Sequence, residues 1–495
     1  MGMASRRVIV VGAGNAALCA ALAAREQGAE VLVLERAPKK VRGGNTAFTA
    51  GAMRVVYSGV EDLKKLMPDL TPEEIDSTDF GSYTAEAYLD DLARVTEYRT
   101  DPELASTLVE KSLPTLLWMS EKGVRFVPIY GRQAFKVGGR FTFWGGLTVE
   151  ASGGGMGLVE ALTRAAERAG IRIEYGARAL GLLQDDGGAV QGVSLRQDGR
   201  TREERADAVV LASGGFQSSP EMRARYLGPG WDLAKVRGTM YNTGDGLRMA
   251  LRAGASPAGN WSGCHAVGWD RNAPEFGDLA VGDSFQKHSY PWGVMVNGRG
   301  RRFVDEGADF RNYTYAKYGR VILEQPGQFA WQVFDQKVTH LLRDEYRIRQ
   351  ITKVTAPTLE KLAEKMDGVD PAGFVAEMAA YNAAVDTGTP FNPNVRDGRG
   401  TTGLAVDKTN WANTVDEGPF EAYAVTCGIT FTFGGVRIVP DTAQVLDTDM
   451  NPISGLFAAG ELVGGLFYFN YPGGTGLTNG SVFGRMAGSS AGRAE

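Results

Sequence analysis

The stretch that decides the fold is Val8-Ile9-Val10-Val11-Gly12-Ala13-Gly14-Asn15-Ala16-Ala17, continued through an Ala- and Leu-rich run to Gly28 and then Val31-Leu32-Val33-Leu34-Glu35. Four β-branched apolar residues in a row, without alternation, predict a strand buried on both faces. Residues 16–27 are strong helix formers and predict a helix, which Gly28 ends. Strand, turn, helix and strand within so short a span predict a βαβ unit and a parallel sheet. The pattern Gly12-x-Gly14-x-x-Ala17 follows the strand and opens the helix, the context that dinucleotide binding requires. Gly12 makes the turn, Gly14 admits a pyrophosphate, and Asn15 and Ala16 begin the helix whose positive end faces it. Ala17 stands where a third glycine governs close helix–strand packing. Glu35 is placed to accept hydrogen bonds from ribose hydroxyls, and Arg36 follows it as a further candidate contact.

Outward from this unit the same texture returns. Residues 156–170 predict a helix and Ile171-Arg172-Ile173-Glu174 a strand. Residues 179–195, turning at Asp185-Asp186-Gly187-Gly188, predict a hairpin. Ala208-Val209-Val210-Leu211-Ala212 predicts another buried strand, and so does the apolar run before Gly460. Between about 260 and 423 the chain is rich in Trp, Tyr and Asp with irregular Pro and Gly, and holds two helix-like runs at 359–366 and 372–384. The expected class is α/β: a Rossmann-like domain with a parallel sheet, interrupted by an inserted α+β capping domain. The expected boundaries are 1–257, 258–423 and 424–495.

Composition narrows the function. Glycine makes up 66 of 495 residues, about 13% against roughly 7% on average. With no G-x-y period, the surplus is expected at tight turns and at close approach to a ligand. Hydrophobic residues make up 43% and charged residues 22%, enough for a sizeable core. Three His and three dispersed Cys predict neither a metal site nor a disulfide framework. A net charge of −5 leaves no basic excess for nucleic acid. Ser5-Arg6-Arg7 before an apolar run superficially resembles a twin-arginine signal, but cleavage there would destroy the first strand. Met1-Gly2 begins like a myristoylation site, with Arg6 where Ser or Thr is required. No apolar run approaches ~18 residues, so no transmembrane segment is expected. A reduced, cytoplasmic composition is the expectation.

Several separated segments point to FAD rather than NAD. Gly43-Gly44-Asn45-Thr46 is a second Gly-rich loop suited to a phosphate or flavin edge, with Ala50 and Gly51 just beyond. Ala212-Ser213-Gly214-Gly215 can pass beneath the adenine side, and Asn242 and Asp245 join the candidate contacts. Gly460-Glu461 presents a carboxylate for ribityl hydroxyls. Gly474, Gly476, Leu477 and Thr478 open a last helix whose N-terminus can face the flavin O2. A cofactor with two ends to hold accounts for so many contacts.

With these segments, Thr243-Gly244-Asp245-Gly246 and Asn297-Gly298-Arg299-Gly300-Arg301-Arg302-Phe303-Val304-Asp305-Glu306, the chain resembles the fumarate reductase/succinate dehydrogenase flavoprotein family almost end to end. The resemblance implies an FAD domain interrupted by a mobile cap, with substrate between cap and isoalloxazine. It implies hydride transfer between flavin N5 and a carbon of a C–C bond, while a side chain handles the proton on the neighbouring carbon. Arg311, five residues past Glu306, matches the family's catalytic Arg, and His265 stands near its substrate-carboxylate His. His288 is expected to be structural or at the cleft rim. No His lies near 43–50, where respiratory members attach flavin covalently, so the FAD is expected to be non-covalent.

The departures bear on substrate. Thr430-Phe431-Thr432-Phe433-Gly434-Gly435 lacks the His that fumarate-type members place there. Tyr471, in Asn470-Tyr471-Pro472-Gly473-Gly474, replaces their clamping Arg and is similar to the Tyr-Pro-Gly segment of 3-ketosteroid dehydrogenases, where Tyr polarises a ketone. The run from Gly465 to Thr478 most resembles the FAD-dependent tricarballylate dehydrogenases. The leading expectation is a tricarballylate-type dehydrogenase: a small-molecule carboxylate held by His265, Tyr471 and one of Arg237, Arg437 or Arg140, with Arg311 as acid/base. The electron acceptor is left open among a quinone, a partner protein and O₂. One alternative is a Δ1-type desaturase of a ketone-bearing apolar molecule, with Phe141-Thr142-Phe143-Trp144 and Phe467-Tyr468-Phe469 lining the cleft. Another is a flavin-binding subunit without turnover.

Overall fold

The computed structural model describes residues 5–143 and 146–493; Met1, Gly2 and Trp144, which entered the expectations above, lie outside them. The opening stretch folds as read. Arg7–Val11 and Glu30–Glu35 are parallel strands joined by the helix Asn15–Glu26, with Val8 opposite Val31 and Val11 opposite Leu34. The parallel layer continues to Arg172–Tyr175 on one side, and to Ala208–Leu211 and then Pro452–Ala458 on the other. The pairing of Val209 with Leu456 explains why the sheet-like pattern resumes near the C-terminus. The expected hairpin forms, Arg178–Gln184 against Val190–Gln197, and a third antiparallel strand, Arg200–Arg205, extends it. The third strand carries charge at nearly every position, which hid it from an apolar-pattern search and suits an exposed sheet edge.

A second, mixed sheet is built on two long antiparallel strands, Pro257–Asp270 and Phe420–Val436. Phe329–Phe334, Val294–Val296 and Lys353–Ala356 extend it. The boundary expected at 423/424 falls inside the strand Phe420–Val436. The helices Leu359–Lys365 and Pro371–Ala384 cover this sheet, Leu362, Phe374 and Met378 sharing a buried cluster with Trp331 and Phe420. The helix Tyr315–Leu323 lies so close to Pro257–Asp270 that a Cβ on Gly319 would stand 2.4 Å from the Ala266 carbonyl carbon.

Part of the glycine surplus has a use other than turns and ligand approach. The last helix, Thr475–Gly492, turns Gly484, Gly488 and Gly492 onto Ala16, Ala20 and Ala24 of the first helix. A Cβ on Gly488 would stand 2.0 Å from the Ala20 carbonyl oxygen, so this helix pair meets backbone to backbone. Among the described residues no helix is long and apolar enough to cross a membrane, and no group of three or more His, Cys, Asp or Glu could hold a metal.

Candidate active site

A long cavity runs between the two sheet regions, from Arg36, Arg178 and Asp245 at one end to Arg237, His265, His288 and Arg311 at the other. The Gly12–Asn15 turn forms its middle. Gly12 has φ +112°, and a Cβ there would stand 2.5 Å from the Ala212 oxygen, so only glycine fits. Asn15 starts the helix beneath the turn; its side-chain amide donates to the Leu477 carbonyl (2.8 Å) and the Ser481 hydroxyl (2.9 Å), tying first helix to last. The Glu35 carboxylate accepts from the backbone N–H groups of Ala13 (2.8 Å) and Ala37 (2.7 Å), and burial raises its pKa above the ordinary carboxyl value. Asp245 gathers Arg178 (2.8 Å), Arg248 (2.8 Å) and Arg36 (3.1 Å) into a positive collar at the Glu35 end.

Gly14, Ala16, Gly44, Asn45, Thr46, Ala50, Ala212, Ser213, Gly214, Asn242, Gly460, Gly474, Gly476 and Leu477 also line this cavity. Gly43, Gly51, Gly215 and Thr478 do not; they shape it from behind. A Cβ on Gly43 would meet Val159 at 2.8 Å, and one on Gly51 would meet the Gly154 backbone at 2.8 Å. Gly215 leaves room for the Glu461 carboxylate, whose oxygen would lie 2.2 Å from a Cβ there. The Thr478 hydroxyl donates to the Arg54 carbonyl at 2.8 Å. Glu461 accepts from the Thr432 N–H (2.8 Å) and the Gln217 amide (3.2 Å), while burial pushes its pKa up to about 7. The buried atoms Ser213 Oγ, Thr430 Oγ1 and Asn479 Oδ1 have no hydrogen-bond partner among the described residues. A ligand with an adenosine end, a pyrophosphate middle and a polar ring edge fits these groups, which is the outline of FAD.

The far end of the cavity collects the reactive side chains. His265 is 1% exposed, packed against Tyr471 (4.9 Å between ring centres), Tyr315 (5.0 Å) and Phe431 (5.2 Å), and neither of its ring nitrogens has a partner among the described residues. Burial, assisted by the Arg237 charge, holds it well below the ordinary imidazole value, so it is neutral. His288 is not at the rim. It is buried in the cavity wall beside Tyr315, and burial together with Arg311 keeps it neutral as well. Arg311 is buried and donates to the Arg132 carbonyl. Burial pulls its pKa below the ordinary range; Arg132 adds to the shift and Glu345 opposes it. Tyr471 and Tyr315 share a hydroxyl–hydroxyl hydrogen bond of 2.5 Å, and burial raises both phenols. Arg132 holds Asp283 by two bonds of 2.7 and 2.8 Å, with Arg237 3.6 Å from the same carboxylate.

Of the three arginines weighed for substrate, only Arg237 lines the cavity. Arg140 is exposed and donates to the Thr78 carbonyl, and Arg437 follows the strand Phe420–Val436, its backbone N–H donating to the Ser256 carbonyl. Phe141, Thr142 and Phe143 lie on the middle strand of a separate three-stranded sheet, where Phe143 stacks on Phe80 and Phe141 packs against Tyr130; Phe467 lines the cavity, while Phe469 is exposed. Sequence reasoning missed Tyr315, Asn312, Arg132, Gln133 and Asp283, all of which line the site. Tyr315 was within reach, since it lies one helical turn past Arg311 in an aromatic run. Arg132 and Asp283 carry no local signal.

Comparison with known proteins agrees with this geometry. Residues 7–477 match the family described as FAD binding domain. A probable fumarate reductase of Shewanella frigidimarina is 30% identical over 98% of this chain and 74% of its own. The 4-oxocyclohexanecarboxylate 2-dehydrogenase of Sinomonas cyclohexanicum is 29% identical over 98% of this chain and 93% of its own. The open conformation of a flavocytochrome c3 fumarate reductase superposes with a TM-score of 0.73 at 28% identity, covering 99% of this chain and 79% of that one. Bound FAD is thus the cofactor for which the cavity is shaped, and the chain belongs to the fumarate reductase/succinate dehydrogenase flavoprotein family, as an FAD-dependent oxidoreductase acting on carbon–carbon bonds.

Proposed function

We propose that the chain oxidises or reduces a C–C bond flanked by a carboxylate, with a tricarballylate-type substrate as the leading candidate and FAD held non-covalently. The observation that carries this reading is the convergence of Arg237, Arg311, His265, His288 and Tyr471 at the end of the FAD-shaped cavity. Membership in an enzyme family removes the non-catalytic alternative. FAD, when bound, supplies the hydride-accepting ring. The chain's own residues do the rest. Arg237 meets a carboxylate with a permanent charge, and each neutral imidazole offers one N–H donor. The bond to the Arg132 carbonyl orients Arg311, whose lowered pKa brings a guanidinium closer to proton exchange than one in water. The segment 258–423 acts as a cap that excludes water from this end.

A second reading rests on the Tyr315–Tyr471 hydrogen bond and the Phe431, Phe433 and Phe467 wall. Tyr471 would polarise a ketone and Tyr315 would carry the proton. Anaerobic mixing with tricarboxylates, dicarboxylates and ketosteroids, followed by flavin bleaching near ~450 nm, separates the readings. Bleaching by tricarballylate supports the first, and bleaching by ketosteroids alone replaces it with the second. Release of intact FAD on denaturation is the expected sign of non-covalent binding.

A further inference from the structure

One carboxylate outside the cavity joins both sides of the site. Asp91, on the helix Ala85–Val95, accepts hydroxyl hydrogen bonds on one oxygen from Tyr83 (2.7 Å) and Tyr313 (2.8 Å). Its other oxygen takes Arg94 at 3.3 Å, and Arg94 also holds Asp309 at 2.8 Å. Arg54, whose side chain is fully buried, lies 3.6 Å from the same carboxylate with Tyr83, Tyr88 and Tyr313 around its guanidinium at 5.0 to 6.0 Å.

Two lines of contact leave this cluster. On one, Tyr313 ends the short turn Arg311–Tyr313, so whatever fixes its phenol fixes the backbone that carries Arg311 and, two residues on, Tyr315. The Tyr313 carbonyl also accepts from Asn470 (2.6 Å), and the Asn470 side chain accepts from the Tyr471 N–H (2.9 Å). On the other line, Arg54 Nε donates to the Gly473 carbonyl at 2.9 Å and its backbone N–H donates to Gly474 at 3.2 Å, holding the turn that starts the last helix. Gly473 in turn donates to the Asn312 carbonyl at 3.2 Å. The loop closes: Asp91, Tyr313, Asn312, Gly473, Arg54 and back to Asp91.

We propose that Asp91 is a positioning residue, registering the Arg311–Tyr315 segment against the glycine turn at the flavin end, so that the proton-handling side chains and the hydride-accepting ring are set at one distance. A largely buried carboxylate, 15% exposed, that accepts from two phenols and also sits beside the fully buried Arg54 guanidinium is costly to build for packing alone, since those partners give up water to reach it. Catalysis is sensitive to displacements of an ångström, which makes such a brace useful. The proposal rests on the proposed role of Arg311 and Tyr471, and its test keeps the two apart.

The test uses the FAD-loaded full chain and two variants, Asp91→Asn and the milder Tyr313→Phe, which removes a single hydroxyl. With a substrate that bleaches the wild-type flavin, both are expected to retain FAD and to keep KM within about twofold, while kcat falls about tenfold or more. The double variant should be no slower than the slower single one. Amide hydrogen exchange across 311–315 and 473–475 should quicken in both, without change in the strand Arg7–Val11. Unchanged kcat and unchanged exchange would overturn the proposal, as would a rise in KM and a loss of FAD matching the loss in kcat. If exchange quickens while kcat holds, Asp91 braces the segment and the assignment of Arg311 is what fails.

Discussion

At the scale of single residues, the site depends on burial changing what a side chain can do. Arg311 on a surface would be a fixed cation; here burial beside Arg132 lowers its pKa, and an acid/base role becomes chemically accessible. Replacing Arg311 with Lys or Ala is expected to leave FAD content unchanged and to slow flavin reduction by substrate by ~10²-fold or more, the usual weight of a positioned proton donor. Stopped-flow absorbance reads this directly, and wild-type rates in the variant would exclude the assignment. Glu461 gives a pH dependence. Its carboxyl titrates at about 7 against an ordinary value of 4.5, so without FAD the folded chain keeps a proton through that window which the unfolded chain has lost. Stability of the apoprotein should therefore fall as pH rises from about 4.5 to 7. A ribityl hydroxyl donating to Glu461 favours the ionised form, so FAD affinity should rise as pH climbs through 7 and Glu461→Gln should flatten that rise, as measured by titrating apoprotein with FAD.

Elements are where the sequence spoke most clearly and also where it misled. Val8-Ile9-Val10-Val11 and Ala208-Val209-Val210-Leu211 were legible because a strand buried on both faces has nothing polar to interrupt it. Arg200–Arg205 was not, since an edge strand needs no apolar face. Gly484 and Gly488 look, in sequence, like defects in a helix that glycine weakens by roughly 1 kcal/mol each. The packing reverses that sign. Gly488→Ala puts a Cβ 2.0 Å from the Ala20 oxygen, and the two helices must part to admit it. The expected result is a loss of about 1–3 kcal/mol in a denaturant melt rather than a gain, with weaker FAD retention, because Asn15 and Leu477 meet across the same helix pair. A stabilised Gly488→Ala protein would contradict the close contact.

Across the whole molecule, the site is assembled from positions that no local pattern relates. The cofactor end was readable because its contacts sit at strand-to-helix turns, whose geometry a short motif encodes. The reactive end was only partly readable: Arg311, His265 and Tyr471 come from motif positions, whereas Arg132, on the short helix Tyr130–Gln133, and Asp283, in the loop after the strand Pro257–Asp270, are 151 residues apart and meet only in the fold. Asp283 is 6% exposed and compensates Arg132 through two bonds and Arg237 at 3.6 Å. Removing its charge with Asp283→Asn leaves the buried Arg237 and the partly exposed Arg132 uncompensated, at a cost of about 3 kcal/mol, the low end for a buried pair broken on one side. The same change raises the positive potential where a substrate carboxylate is proposed to bind. An anionic substrate should then raise the melting temperature of Asp283→Asn by more than that of the wild type, whereas a neutral ketone should raise both equally. Thermal melts with and without each ligand would measure both effects. If the carboxylate stabilised the two proteins alike, the charge held by Arg132 and Arg237 would not be what receives the substrate, and the ketone reading would gain the site.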